Sequence, residues 1–252
     1  MFISLKMALR SHRWRRCLMG TAKDIYELRT IKLSPPVFED LPVDEIDRDL
    51  KRTFPLEMFY THQIDKIRNV LLWYAFTNPA VPYCQCFSFI SFVMYRCFYE
   101  GDKRHAMIDT YYGLHKIILL IKPLLPMSDK DGGPLKFAGV LRSVLLLDIM
   151  KHSRRLYNRL KESMVIKFII LSGFSSLYLN WFSSDDGLLL LDYIICEKAS
   201  TMFQRLINFT VAIFLVNKQL FLGFDDMICL EMLREKELLN FHTTLFLAKH
   251  LK

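Results

Sequence analysis

The chain has 252 residues, 52% hydrophobic, 13% aromatic and 24% charged, with a formal net charge of +8. That length suits one large domain or two intimately packed halves, and the apolar share excludes a disordered chain, because burial can offset chain entropy. The basic residues are spread out, with small clusters only at "HRWRR" (12–16) and "HSRR" (152–155), and there is no zinc-finger spacing, Gly-rich RNA-binding strand or basic tail, so the charge does not read as a nucleic-acid footprint.

In chain order, the first informative element is "IDRDLKRTFP" (46–55). Asp44, Glu45, Asp47 and Asp49 precede Lys51 and Arg52, the order that a helix dipole favours. Asp49 and Arg52, three apart, face each other on one side of a helix, and Pro55 ends the helix at Phe54. These residues fit a well-charged surface helix. They also fit an arginine presented at a rigid helix end, the arrangement in which a guanidinium meets phosphate oxygens.

"HQIDKIRNVLLWYAFT" (62–77) places Ile64, Ile67, Leu71 and Tyr74 on one helical face, with Thr61 as its N-cap. "NPAVPYCQC" (78–86) follows as a proline-rich turn in which Gln85 opens the next helix. Helical periodicity continues over 102–122 and stops before Pro123. The polar run "MSDKDGGP" (127–134) breaks the chain, and helices are then expected over 136–152, 187–199, 199–222 and 225–251. The predicted class is all-α, with helical halves of about 1–127 and 135–252 inside a single domain spanning 1–252.

Three segments raise a multi-pass membrane protein as an alternative. Residues 69–95 carry no charge, but "NPAVP" splits them into pieces too short to span a bilayer. Residues 164–182 contain Lys167 and several polar residues, and 206–217 is only 12 residues between Arg205 and Lys218. Six cysteines occur without a C-x-x-C, and with no secretory signal in view the expectation is reduced thiols in the cytosol. Cys84 and Cys86, one residue apart with no matching pair, read as helix-packing residues rather than metal ligands. Asp225, Asp226 and the scattered histidines suggest no site.

Two of these stretches together resemble the TBC-domain family of Rab GTPase-activating proteins. The family's I-x-x-D-x-x-R motif, commonly continued as T-F-P, corresponds to Ile46, Asp49 and Arg52 followed by Thr53, Phe54 and Pro55. Its Y-x-Q motif, within an N-P…G-Y-C-Q-G-M-N-F-I-like run, corresponds to Tyr83 and Gln85 in "NPAVPYCQCFSFI" (78–90). "LRSHRWRRCLMG" (9–20) is similar to the family's opening helix, with Arg10, Trp14 and Gly20 in place. "RRLYNRL" (154–160), "LNWF" (179–182) and "LLLD" (189–192) are similar to later elements.

The resemblance implies a multi-helical TBC-like domain that accelerates GTP hydrolysis by a GTP-bound Rab-type small GTPase and regulates vesicle trafficking. Arg52 and Gln85 would be its catalytic fingers in trans, Asp49 would hold the guanidinium and Tyr83 would fix the loop around Gln85. It implies no cofactor or metal of its own, GTP and Mg2+ being carried by the GTPase, and a cytoplasmic protein peripheral on endomembranes through that partner. The family's glycines before the tyrosine and after the glutamine are Pro82 and Cys86 here, and Cys86 adds bulk where a nucleotide pocket would press. A catalytically inactive Rab-binding scaffold is the alternative within the same family.

Overall fold

The computed structural model describes residues 2–21, 23–24, 26, 41–53, 58–125, 133–196, 198–234 and 240–251. Within them are thirteen α-helices and no strand, so the expected all-α class is observed.

Helix α1 (Phe2–Met19) stops where Gly20 takes φ +99°, a left-handed geometry that glycine adopts without strain. Helix α2 (Val43–Leu50) buries Ile46 and Leu50, four residues apart, while Asp44 and Glu45 sit in the first turn at the positive end of its dipole. Helix α3 (Met58–Thr77) begins three residues before the expected cap, so Thr61 lies inside it rather than at its start. Helix α4 (Cys86–Gly101) is apolar nearly all round, which demands burial on every side. It is accordingly the core helix of this region, with α1, α3 and α5 (Ala106–Ile121) packed around it. A 3-10 turn, Lys122–Leu124, closes the region.

Of the polar break at 127–134, residues 127–132 lie outside the described residues, and α6 (Gly133–His152) starts immediately after them. Helices α7 (Arg154–Leu160) and α8 (Met164–Phe168) follow, each begun by a serine whose side chain accepts a backbone N–H, Ser153 from Leu156 and Ser163 from Val165. Asp226 reinforces the start of α8: its carboxylate accepts from Met164 N at 2.6 Å and Ser163 Oγ at 2.8 Å, and it pairs with Arg159 at 2.7 Å. Helix α8 runs into a π-helical stretch, Ile169–Phe174, and then into turns where Leu177 and Tyr178 take φ of 52° and 59°. The apolar segment 164–182 is thus no single span.

Helices α9 (Ser184–Ile194), α10 (Ala199–Val216), α11 (Lys218–Gly223), α12 (Asp226–Arg234) and α13 (Phe241–His250) complete the order. Two long sequence-predicted helices are divided. The one expected over 199–222 breaks at Asn217, whose backbone leaves the helical region (φ −95°, ψ 24°) while its backbone N–H and side-chain amide both donate to the Ile213 carbonyl, at 3.1 and 2.8 Å. The one expected over 225–251 cannot be continuous, because Asn240 caps a new helix by accepting from Thr243 N at 2.9 Å. Among the described residues one helix, Ala199–Val216, is long and apolar enough to cross a bilayer, and half of it is buried within the protein against α13, α6 and α9. A multi-pass chain needs several such helices.

Two ion clusters fasten α1 in place. Asp192 of α9 accepts from Arg10 Nε at 2.8 Å, Arg13 at 2.7 Å and the Trp14 indole N–H at 3.0 Å. On the facing side, Arg15 pairs with the buried Asp109 of α5 at 2.7 Å and lies over the Phe98 ring. Arg10, Trp14 and the aspartate of "LLLD", all marked in the sequence, therefore meet in one cluster.

Candidate functional site

The chain leaves α2 through a tight turn. Lys51 is still helical, Arg52 N donates to Asp49 O at 3.0 Å and Thr53 N to Leu50 O at 3.2 Å. The Arg52 side chain is exposed and makes no hydrogen bond or ion pair among the described residues. Phe54 and Pro55, read as the stop of the helix, lie outside the described residues.

The second turn, residues 78–85, precedes α4. Asn78 closes α3, its side-chain amide donating to Tyr74 O at 3.0 Å, and Val81 N donates back to Asn78 O at 2.9 Å. Gln85 occupies the N-cap position of α4 with an already helical backbone, φ −50° and ψ −34°, and its side chain forms no capping bond. Its amide is exposed. The sequence reading of Gln85 as the residue that opens a helix is observed.

A buried hydroxyl pair joins the two turns. Thr53 Oγ1 lies 2.7 Å from Ser88 Oγ, and both residues are fully buried. Thr53 Oγ1 also lies 2.9 Å from Asp49 O, and Ser88 Oγ lies 2.7 Å from Gln85 O. The residue after Arg52 is therefore in contact with the first turn of the helix that Gln85 starts. The structure brings the two sequence-predicted fingers onto adjacent turns, each with its functional group in solvent.

Asp49 behaves differently from expectation. It forms no ion pair with Arg52; its carboxylate instead acts on Tyr83 and Cys84 of the second turn. The reason is that Asp49 is half-buried on the side of α2 that meets this turn, whereas Arg52, beyond the helix end, extends into solvent. Tyr83 is half-buried, with its ring edge-on to Phe87 at 5.9 Å, which seats the turn against α4. Its hydroxyl makes no hydrogen bond of good geometry, and burial first, then the Asp49 charge, push its pKa far up. Tyr83 thus stays neutral and serves as a packing group.

Cys84 and Cys86 are free thiols. Cys86 is only 6% exposed and turns inward onto the core. The neighbouring Cys86 thiol, with the backbone N–H groups at Cys86 and Gln85, pulls Cys84 down to about 7 against the opposing effect of burial. The same contact, with burial, raises Cys86. The bulk expected to face a partner is therefore directed into the protein. Pro82, in contrast, is exposed beside the site.

Helix α2 is held at its other face by α3, where Arg68 donates Nε to Asp47 at 2.6 Å and Nη2 at 3.1 Å in a two-pronged pair. Sequence reasoning did not anticipate Ser88. Its signal was a hydroxyl three residues after Gln85 in a first helical turn, where such a side chain bonds back to the carbonyl at i−3.

The family model described as the Rab-GTPase-TBC domain matches residues 7–222. Among solved structures, the Ypt/Rab-GAP domain of Gyp1p shares the fold, with a TM-score of 0.70 at 13% identity over 98% of this chain and 90% of that one.

Proposed function

The chain belongs to the Rab-GTPase-TBC domain family, and from that premise we propose that it accelerates GTP hydrolysis by a Rab-type small GTPase in its GTP-bound form. Hydrolysis by such a GTPase is limited by positioning of the attacking water and by charge that builds on the phosphoryl oxygens. Arg52 neutralises that charge. Gln85 orients the water in place of the GTPase's own glutamine. Neither residue acts as acid, base or nucleophile; each needs only to be free and correctly placed. Asp49 and Tyr83 keep the second turn seated and are supporting residues. GTP and Mg2+ arrive with the GTPase, which also brings the protein to the endomembranes where it acts in vesicle trafficking.

The observation that carries this reading is the presentation of two uncommitted side chains, Arg52 and Gln85, on turns that a buried contact joins. An arginine supplied in trans contributes about 10³–10⁵ in rate, or roughly 4–7 kcal/mol of barrier. The test is single-turnover hydrolysis by a panel of GTP-loaded Rab proteins. Arg52→Ala is expected to abolish the stimulation while complex formation persists, and Gln85→Ala to reduce it strongly. Full activity in Arg52→Ala rejects the finger assignment, and complex formation by the parent without acceleration identifies the inactive scaffold instead.

A further inference from the structure

We infer that Thr53 and Ser88 are positioning residues that hold the Arg52 turn in register with the Gln85 turn. The inference rests on the accelerator reading, and it adds to it the device that couples its two fingers.

The contact is built for that task. Thr53 adjoins Arg52 directly, and Ser88 lies one helical turn from Gln85 and bonds to its carbonyl. Three oxygen contacts link the four backbone and side-chain groups: Asp49 O to Thr53 Oγ1 at 2.9 Å, Thr53 Oγ1 to Ser88 Oγ at 2.7 Å, and Ser88 Oγ to Gln85 O at 2.7 Å. The two hydroxyls carry only two protons. Two oxygens 2.7 Å apart repel unless a proton lies between them, so the two protons belong to the two shortest contacts. Thr53 donates to Ser88 and Ser88 donates to Gln85 O, while the longer approach of Thr53 Oγ1 to Asp49 O, at 2.9 Å, goes without a proton. The bond between the turns is kept.

Burial gives the bond its authority. Both hydroxyls are at 0% exposure, so water cannot replace the partner, and separating the turns would forfeit the bond and leave each hydroxyl only the carbonyl of its own turn. By contrast, among the described residues the side chains of Arg52 and Gln85 have no anchor of their own. Their relative position is therefore set by the backbone of two turns whose closest polar link is this one. A displacement of about 1 Å in a positioned group can cost on the order of 10²-fold in rate.

Each hydroxyl can be removed cleanly. Thr53→Val keeps the shape and leaves Ser88 donating to Gln85 O. Ser88→Ala leaves Thr53 donating to Asp49 O. Neither strands a partner, and either one deletes the link.

The test uses a Rab protein that the full chain stimulates, with single-turnover rates measured over a range of accelerator concentration. Thr53→Val and Ser88→Ala are each expected to lower the saturated rate about tenfold to a hundredfold. The half-saturating concentration should stay within about twofold, because no partner-facing group changes. The double variant should be no slower than the slower single variant, and Thr53→Ser should restore the parent rate. Amide hydrogen exchange on the protein alone gives a readout independent of any GTPase: Thr53→Val should speed exchange at the Phe87 and Ser88 amides, and Ser88→Ala at the Thr53 amide.

Saturated rates within twofold of the parent in both single variants overturn the inference. So do additive losses in the double variant, or exchange that rises across the whole chain rather than at the two turns. If the parent stimulates no Rab protein, the accelerator reading fails, and the positioning role falls with it even where the exchange coupling is observed.

Discussion

Loss of the Asp192 carboxylate should damage the fold heavily without touching the proposed site. Its carboxylate receives Arg10 in a two-pronged pair, with Nε and Nη2 both at 2.8 Å, as well as Arg13 and the Trp14 indole. The Arg10 side chain is 7% exposed, so Asp192→Ala leaves a buried guanidinium uncompensated, a loss of about 3–5 kcal/mol in general. Asp192 itself is 25% exposed, which admits water to the vacated space and favours the lower end. Arg13 is 49% exposed and contributes about 0.5 kcal/mol, and the stranded Trp14 N–H adds about 1 kcal/mol. The expected cost is about 4.5 kcal/mol, or a fall in melting temperature on the order of 10 °C for a domain of this size. Urea unfolding followed by circular dichroism measures it. Asp192→Asn, which keeps an acceptor oxygen but no charge, should lose about half as much, and Arg13→Ala under about 1 kcal/mol. A loss below about 1 kcal/mol in Asp192→Ala, or an Arg13→Ala variant equally damaged, refutes the view that the buried Arg10 governs the cluster.

Two further outcomes are expected from titrating groups near the site. Alkylation of Cys84 by iodoacetamide, followed residue by residue with mass spectrometry, should reach half its plateau rate near pH 7, because the thiolate is the nucleophile and the Cys86 contact lowers this thiol to about 7. Cys86→Ala should move the midpoint upward; a parent midpoint at pH 8.5 or above contradicts the assignment. Asp47 has its pKa depressed, mainly by the hydrogen bond from Arg68, so its stabilising effect is complete above the ordinary carboxylate value and is lost as pH falls through the depressed one. With the Asp47 side chain 39% exposed, solvent screening keeps the effect near 0.5 kcal/mol. The difference in melting temperature between the parent and Asp47→Asn should thus be about 1–2 °C at neutral pH and should vanish on acidification; a gap that widens toward pH 2 has the wrong sign.

Periodicity in the sequence located most helices, because an apolar stripe at helical spacing must be buried whatever its neighbours are. It failed at two asparagines that the apolar pattern runs past: Asn217, which follows the last residue of α10, and Asn240, which caps the start of α13. It is silent over 164–182, where the backbone departs from the α-helix after Phe168. Tyr178 holds a positive φ there while its hydroxyl bonds Thr210 of α10 at 2.7 Å, a contact between residues 32 apart that no local pattern encodes. The site divides in the same way. Motif order alone marked Arg52 and Gln85, which lie on adjoining turns, and it marked Asp49 as Arg52's partner, whereas Asp49 faces Tyr83 and Cys84. The spacing of three that put Asp49 beside Arg52 describes a helix that continues, and this helix ends at Leu50. Ser88 was invisible because its meaning depends on Thr53, 35 residues away.

The cysteine that replaces the family's glycine at position 86 changes character once its surroundings are known. A side chain there threatens activity only if it projects toward a partner, and Cys86 projects into the core at 6% exposure. Its effect reaches the site through Cys84, the residue between Tyr83 and Gln85, whose thiol it lowers to about 7. Steric obstruction and altered thiol chemistry make different demands on experiment. If obstruction governed, Cys86→Gly would raise stimulated hydrolysis at every pH. If the thiol contact governs, Cys86→Gly should leave the reduced protein's rate within about twofold of the parent and should instead slow alkylation of Cys84 at pH 7 by up to about tenfold, since the thiolate fraction falls from about half to a few per cent. The burial of Cys86 favours the second result, and a several-fold gain in hydrolysis would restore the first.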